Sequence, residues 1–260
     1  MSPTALFVAN WKMNFTGKEA LSFLARFASL PSDLKKTSEV AIAPSFTVIP
    51  QIAAKLQNLG IDISAQNIHW DVSGAHTGEI SAVMLTELGV KFVIVGHSER
   101  RQFYGETDEN VAKRLEAAIA ANLTGIICVG ETKEQFEASQ TKEIVFSQLQ
   151  SAIGSLNSEN ASHLVVAYEP VWAIGTGLAA TPEIAASVHT HIRLQLLEHF
   201  GDSGQSIRIL YGGSTTEKNV AAMMSQKDIN GALVGGASLK PDIFHQLIVE
   251  GNKANLAKSQ

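Results

Sequence analysis

The sequence predicts an α/β fold, a single (β/α)8 barrel in which eight parallel strands each lead into a helix and residues 1–260 form one domain. Three observations carry this expectation. Short β-branched runs recur along the whole 260-residue chain, each followed by a polar or glycine-bearing loop and a stretch of helical period. About eight such units are present, and a barrel of eight fills roughly 250 residues as one domain. No linker-like or low-complexity stretch divides the chain. An open, doubly wound sheet would use the same right-handed crossovers, so the unit count is what favours closure.

In order, strands are expected at Leu6–Ala9, Val40–Ala43, Ile61–Ala65, Phe92–Val95, Gly125–Val129, Leu164–Ala167, Ile207–Leu210 and Ala232–Val234. Between them, Ile49, Ile52, Ala53, Leu56 and Leu59 make one apolar helix stripe, and Ile184, Val188, Ile192 and Leu196 make another. Thr107 before Asp108-Glu109, and Thr181 before Pro182-Glu183, each offer an N-cap hydroxyl and an acidic first turn that complements the helix dipole.

Hydrophobic residues at 45% and charged residues at 17% suit a packed globule. A net charge of −5 with no Lys/Arg block gives nucleic acid and anionic membrane nothing to bind, so an anionic ligand must meet a local site. Cys128 is the only cysteine, which rules out an intrachain disulfide and suits a reducing compartment. The stretch from Ser2 to Phe15 lacks a basic leader and its apolar run stops at Asn10, so a cytoplasmic location is expected.

In either α/β architecture ligands bind beyond the C-terminal strand ends. The first strand runs into Asn10-Trp11-Lys12, an amide and an ammonium that face a ligand or, alternatively, a turn asparagine beside a surface lysine. The fourth ends in Gly96-His97-Ser98-Glu99-Arg100-Arg101. A helical turn starting at Ser98 would aim its unpaired N–H groups at His97 and favour a neutral ring able to give or take a proton, unless His97 is merely structural. Glu99 and Arg100 read as a structural ion pair or as solvated charges. The sixth strand ends in Tyr168-Glu169-Pro170, a carboxylate at a strand tip and a candidate general base. The following loop, Val171 to Ala180, carries Trp172 and Ile174, which would be exposed unless they form a water-excluding lid.

The last two strands end in Tyr211-Gly212-Gly213-Ser214 and Val234-Gly235-Gly236-Ala237. Glycine pairs let backbone N–H groups approach an anion, and these two loops are the usual phosphate site of such barrels; two tight turns are the plainer alternative. Gly175 to Ala180 matches the G-x-G-x-x-A dinucleotide pattern, but the glycines do not follow a strand directly and Glu198 lies inside a helix, so the match is rejected. His189 and His191 stand two apart on a helix and point to different faces, so no metal is expected.

Taken together these segments resemble the triosephosphate isomerase family from Asn10 to Gly236. The resemblance adds Ala65-Gln66-Asn67, Gly78 to Ser81 and Cys128 to Glu131 to the motifs above. It implies a TIM barrel in which Glu169 is the base, His97 the electrophile, Lys12 the electrostatic partner and Asn10 a substrate contact. It also implies that N–H groups of Gly175, Ser214, Gly235 and Gly236 hold the phosphate, with Pro170 to Trp172 and Leu178 to Ala180 as lid hinges. No cofactor is required. The implied reaction interconverts dihydroxyacetone phosphate and D-glyceraldehyde 3-phosphate through an enediolate. A Schiff-base aldolase using Lys12 and a barrel kept only as a binding protein are the rivals.

The stretch from Gln66 to Glu79 exceeds the roughly 2 to 6 residues usual for such a connection. Its Ile68 and Trp70 suit docking into a partner, against a mobile surface loop, and the resemblance makes it the interdigitating loop of a homodimer, with Thr77 beside the partner's Asn10 and Lys12. The chain departs from the family at His76, usually aromatic, and at Thr215, where Val is frequent. Protonation of His76 in that contact is expected to weaken association at low pH through desolvation of a new charge.

Overall fold

The computed structural model describes residues 3–31, 37–174 and 180–258. The strands are β1 Ala5–Asn10, β2 Ser38–Ala43, β3 Asp62–Ala65, β4 Val90–Val95, β5 Thr124–Val129, β6 Leu164–Tyr168, β7 Arg208–Tyr211 and β8 Gly231–Val234. Each pairs in parallel with its sequence neighbour, and β8 returns to β1 through Leu6↔Gly231 to Ala9↔Val234, so the sheet closes as a TIM barrel. The expected strands fall within a residue or two of these ends.

Ten α-helices lie among the described residues: α1 Gly17–Ala28, α2 Ile49–Leu59, α3 Ala82–Glu87, α4 Ser98–Phe103, α5 Asp108–Ala120, α6 Lys133–Glu137, α7 Thr141–Ile153, α8 Pro182–Phe200, α9 Val220–Met224 and α10 Pro241–Ala257. The two marked starts are as expected. The Thr107 hydroxyl accepts from the Asn110 N–H at 3.2 Å and that of Thr181 from the Ile184 N–H at 3.3 Å, each satisfying a donor the helix leaves orphaned.

Alternation along the strands splits the core into two layers. Leu6, Val8, Phe92, Ile94, Ile126, Cys128, Val165 and Leu210 fill the barrel interior. Their neighbours, such as Phe7, Ile42, Val93 and Ile127, face outward and meet Ile49, Ile52 and Leu56 of α2 and Val188, Ile192 and Leu196 of α8. Full burial of each large apolar side chain is worth about 1.5–3 kcal/mol, so the strand ends sit on a rigid floor. Burial pushes the Cys128 thiol well up, and the Glu169 carboxylate beside it acts in the same direction, which leaves a protonated core residue.

Candidate active site

Asn10, His97, Glu169, Ser214, Gly235 and Gly236 all lie at or just past the C-terminal ends of β1, β4, β6, β7 and β8. With Lys12, Ile174 and Leu233 they line one cavity of about 240 Å3. That is below the roughly 300–1,000 Å3 of drug-sized ligand sites and suits a small ligand. Among the described residues Lys12 is the only cationic side chain in the lining, so an anion held there depends on backbone groups rather than an arginine cluster.

Glu169 is 2% exposed and placed by two contacts. Its Oε2 accepts from the Ser98 N–H at 2.9 Å, and its Oε1 lies 3.2 Å from His97 Nε2. The close approach of β7 makes room for it: a Cβ at Gly212 would stand 2.7 Å from Glu169 Cγ. His97 caps α4 through its ring, with Nδ1 accepting the Glu99 N–H at 3.2 Å. A nitrogen that accepts carries no proton, so this bond directs the Nε2–H of a neutral ring toward Glu169 and the cavity.

Lys12 occupies the left-handed region at φ 51, where non-glycine residues are uncommon. Two amides hold it there. The Lys12 N–H donates to Asn10 Oδ1 at 3.1 Å, and Gln66 Nε2 donates to the Lys12 carbonyl at 2.8 Å. Its ammonium donates to Glu99 Oε1 at 2.5 Å. Glu99, half-exposed, is therefore ion-paired with Lys12 rather than with Arg100, which binds Glu106 instead at 3.3 Å.

At the start of the expected lid, Trp172 is engaged by its own chain. Its Nε1 donates to Glu131 Oε1 at 2.7 Å, the Tyr168 hydroxyl donates to the same oxygen at 3.1 Å, and Phe136 stacks on the indole at 4.4 Å. Burial raises the Glu131 carboxyl, an effect these donors only partly offset. At the far end the Ala180 N–H donates to the Tyr211 hydroxyl at 3.2 Å. Gly175, Leu178 and the glycine pattern between them lie outside the described residues.

The Ser214 N–H donates to the Ala173 carbonyl at 3.2 Å, so it reaches an anion only after releasing the lid's first turn. In the long loop, Ile68 is buried in its own chain, and Trp70 stacks on His69 at 4.3 Å with Arg114 5.2 Å from its ring. Ile68 is thus part of its own chain's core, Trp70 is half-buried, and the exposed part of the loop runs from Asp71 to Glu79. His76 Nε2 lies 2.7 Å from Asp71 Oδ2 within the same loop.

Fold and cavity together place the chain among the TIM-barrel enzymes, whose chemistry is carried by the loops beyond the C-terminal strand ends. Residues 5–251 match the family model for triosephosphate isomerase. Triosephosphate isomerases of Paracidovorax citrulli, Solibacter usitatus and Endomicrobium trichonymphae are 46%, 45% and 44% identical to it over 95%, 92% and 94% of this chain, covering 98%, 96% and 97% of those proteins. The chain belongs to the triosephosphate isomerase family.

Proposed function

We propose that the chain interconverts dihydroxyacetone phosphate and D-glyceraldehyde 3-phosphate, with Glu169 as the proton-transferring base. The observation that carries this reading is the buried Glu169 carboxylate, 3.2 Å from His97 Nε2 in the cavity that also holds Lys12. Glu169 takes a proton from the carbon beside the carbonyl and returns it to the neighbouring carbon. His97 donates from Nε2 to the developing oxyanion and passes a proton between the two oxygens, while the Lys12 ammonium stabilises the enediolate. Asn10 fixes Lys12 and contacts substrate. Glu169 Oε2 is held by the Ser98 N–H at 2.9 Å, so proton transfer through that atom requires Glu169 to release Ser98.

The phosphate is held by N–H groups of Gly235 and Gly236, by Ser214 once freed from Ala173, and by Gly175. Closure of the segment from Val171 to Ala180 excludes water and protects the enediolate from losing phosphate. Proton-transfer help is typically worth about 10²- to 10⁴-fold and one oxyanion donor about 10²- to 10³-fold, so no single group suffices.

Residues 1–260 act as one catalytic domain in the cytoplasm, as a homodimer joined by the Gln66 to Glu79 loop. A cleft of about 200 Å3 beside the cavity supports this, since Asn10, Lys12, Phe46 and Gln66 line it together with the exposed Met13 and Tyr104. The partner's Asp71 to Glu79 tip fits that cleft, with Thr77 against Asn10 and Lys12. A coupled assay with glyceraldehyde 3-phosphate tests the activity: sustained formation of dihydroxyacetone phosphate is expected, and its absence overturns the proposal. Borohydride added during turnover should trap nothing; a covalent adduct on Lys12 would favour the aldolase reading instead.

A further inference from the structure

We propose that Gln148 is a positioning residue for the isomerisation: its side-chain amide fixes the turn after β5 against which the backbone of Glu169 is seated. The inference rests on Glu169 being the base. Past Val129, where β5 ends, the chain still runs alongside the segment that follows β6. The Glu169 N–H donates to the Val129 carbonyl at 2.8 Å, and the Val171 N–H donates to the Glu131 carbonyl at 3.1 Å. These two bonds flank Gly130. A Cβ on Gly130 would overlap the Glu169 carbonyl, so this glycine forms one wall of the seat and a larger residue would push the base out of it. Gly212 forms the opposite wall, with its N–H donating to the Tyr168 carbonyl at 2.7 Å.

On its other side Gly130 has lost its sheet neighbour. β4 pairs with β5 only as far as Val95↔Ile127, and Gly96 then turns the chain away at φ 72. The N–H and carbonyl of Gly130 therefore need another partner. Gln148 takes the missing strand's place: the Gly130 N–H donates to its Oε1 at 2.7 Å, and its Nε2 donates to the Gly130 carbonyl at 3.2 Å. The amide comes from a fixed platform, because Val145 and Leu149, on the same face of α7, are fully buried. A cleft of about 200 Å3 lies beside this wall, lined by Gln148 and Gly130 together with Ser98 and Glu169. Without the amide, Gly130 has space into which to drift, and the base follows it. Misplacing a reacting group by about 1 Å can cost about 10²-fold in rate.

Steady-state isomerisation and its inhibition by inorganic phosphate, measured together for wild type, Gln148→Met, Gln148→Glu and Glu169→Gln, test the role. Gln148→Met keeps the side chain's length and removes both bonds. Its kcat should fall at least about tenfold, with KM and phosphate inhibition within about twofold of wild type. Gln148→Glu keeps an acceptor for the Gly130 N–H and should recover at least about threefold of that loss. A residue that only stabilised α7 would lower the melting temperature and leave kcat unchanged well below it. Wild-type kcat in Gln148→Met, or a Gln148→Glu variant no faster than Gln148→Met, overturns the positioning role. So does an equal loss of phosphate inhibition, which would put the effect at the anion instead of the base. Near-normal kcat in Glu169→Gln would strike the base assignment itself, and this inference with it.

Discussion

Lys12 illustrates how a residue is held in place at a cost. Its left-handed backbone carries strain on the order of 1–3 kcal/mol, and the amides of Asn10 and Gln66 close on it from both sides. A change beside it should therefore reach the ligand. In Gly235→Val, a Cβ would stand 3.5 Å from Lys12 Cε, and the rest of the side chain would crowd both the ammonium and the backbone approach to an anion. KM should rise at least about tenfold and inorganic phosphate should lose its power to inhibit. Normal phosphate inhibition in that variant would place the anion elsewhere. At this scale the residues that line the cavity were legible because each stands at or near a strand end. Their supports were not: Glu99 meets Lys12 across 87 positions, and nothing in local spacing marks such a contact.

The long loop after β3 shows what an element's composition can and cannot tell. Its length correctly marked it as unusual, but apolar content does not say which chain buries a side chain, and Ile68 turned out to belong to its own core. Strands and capped helices were easier, because β-branched runs and a Thr before acidic residues act locally. The docking role proposed for the loop makes its own prediction. Thr77→Arg forces a bulky charge into the cleft proposed to receive the loop tip, so sedimentation velocity should show monomers and activity should fall by at least about tenfold. An intact, active dimer of that variant would mean that the Asp71 to Glu79 tip docks nowhere.

Across the whole molecule, stability should fall with acid in two separable stages. Burial pushes the His189 imidazole from 6.5 down to about 3, with Arg193 and Lys258 adding to the effect against the Asp228 carbonyl. Burial alone would raise the Glu39 carboxyl, but Arg208 and Lys91 more than reverse this and bring it from 4.5 to about 2. Both groups are depressed in the fold, so the unfolded chain takes up their protons first. The His189 contribution is full above about 6.5 and lost toward 3, and that of Glu39 is full above about 4.5 and lost toward 2. Urea midpoints measured at fixed protein concentration should therefore decline from pH 6.5 to 4.5, and His189→Leu should flatten that stretch while sparing the later fall. An unchanged decline in the variant would remove His189 as its source.

Barrel and base meet in a single measurement, the steady-state isomerisation of glyceraldehyde 3-phosphate by wild-type protein and by Glu169→Gln. The amide keeps the shape that accepts the Ser98 N–H but cannot take a proton from carbon. Wild-type turnover with kcat at least about 10²-fold lower in the variant, at an unchanged melting temperature, is the expected result. Near-normal kcat in Glu169→Gln would contradict the assignment of this carboxylate as the base.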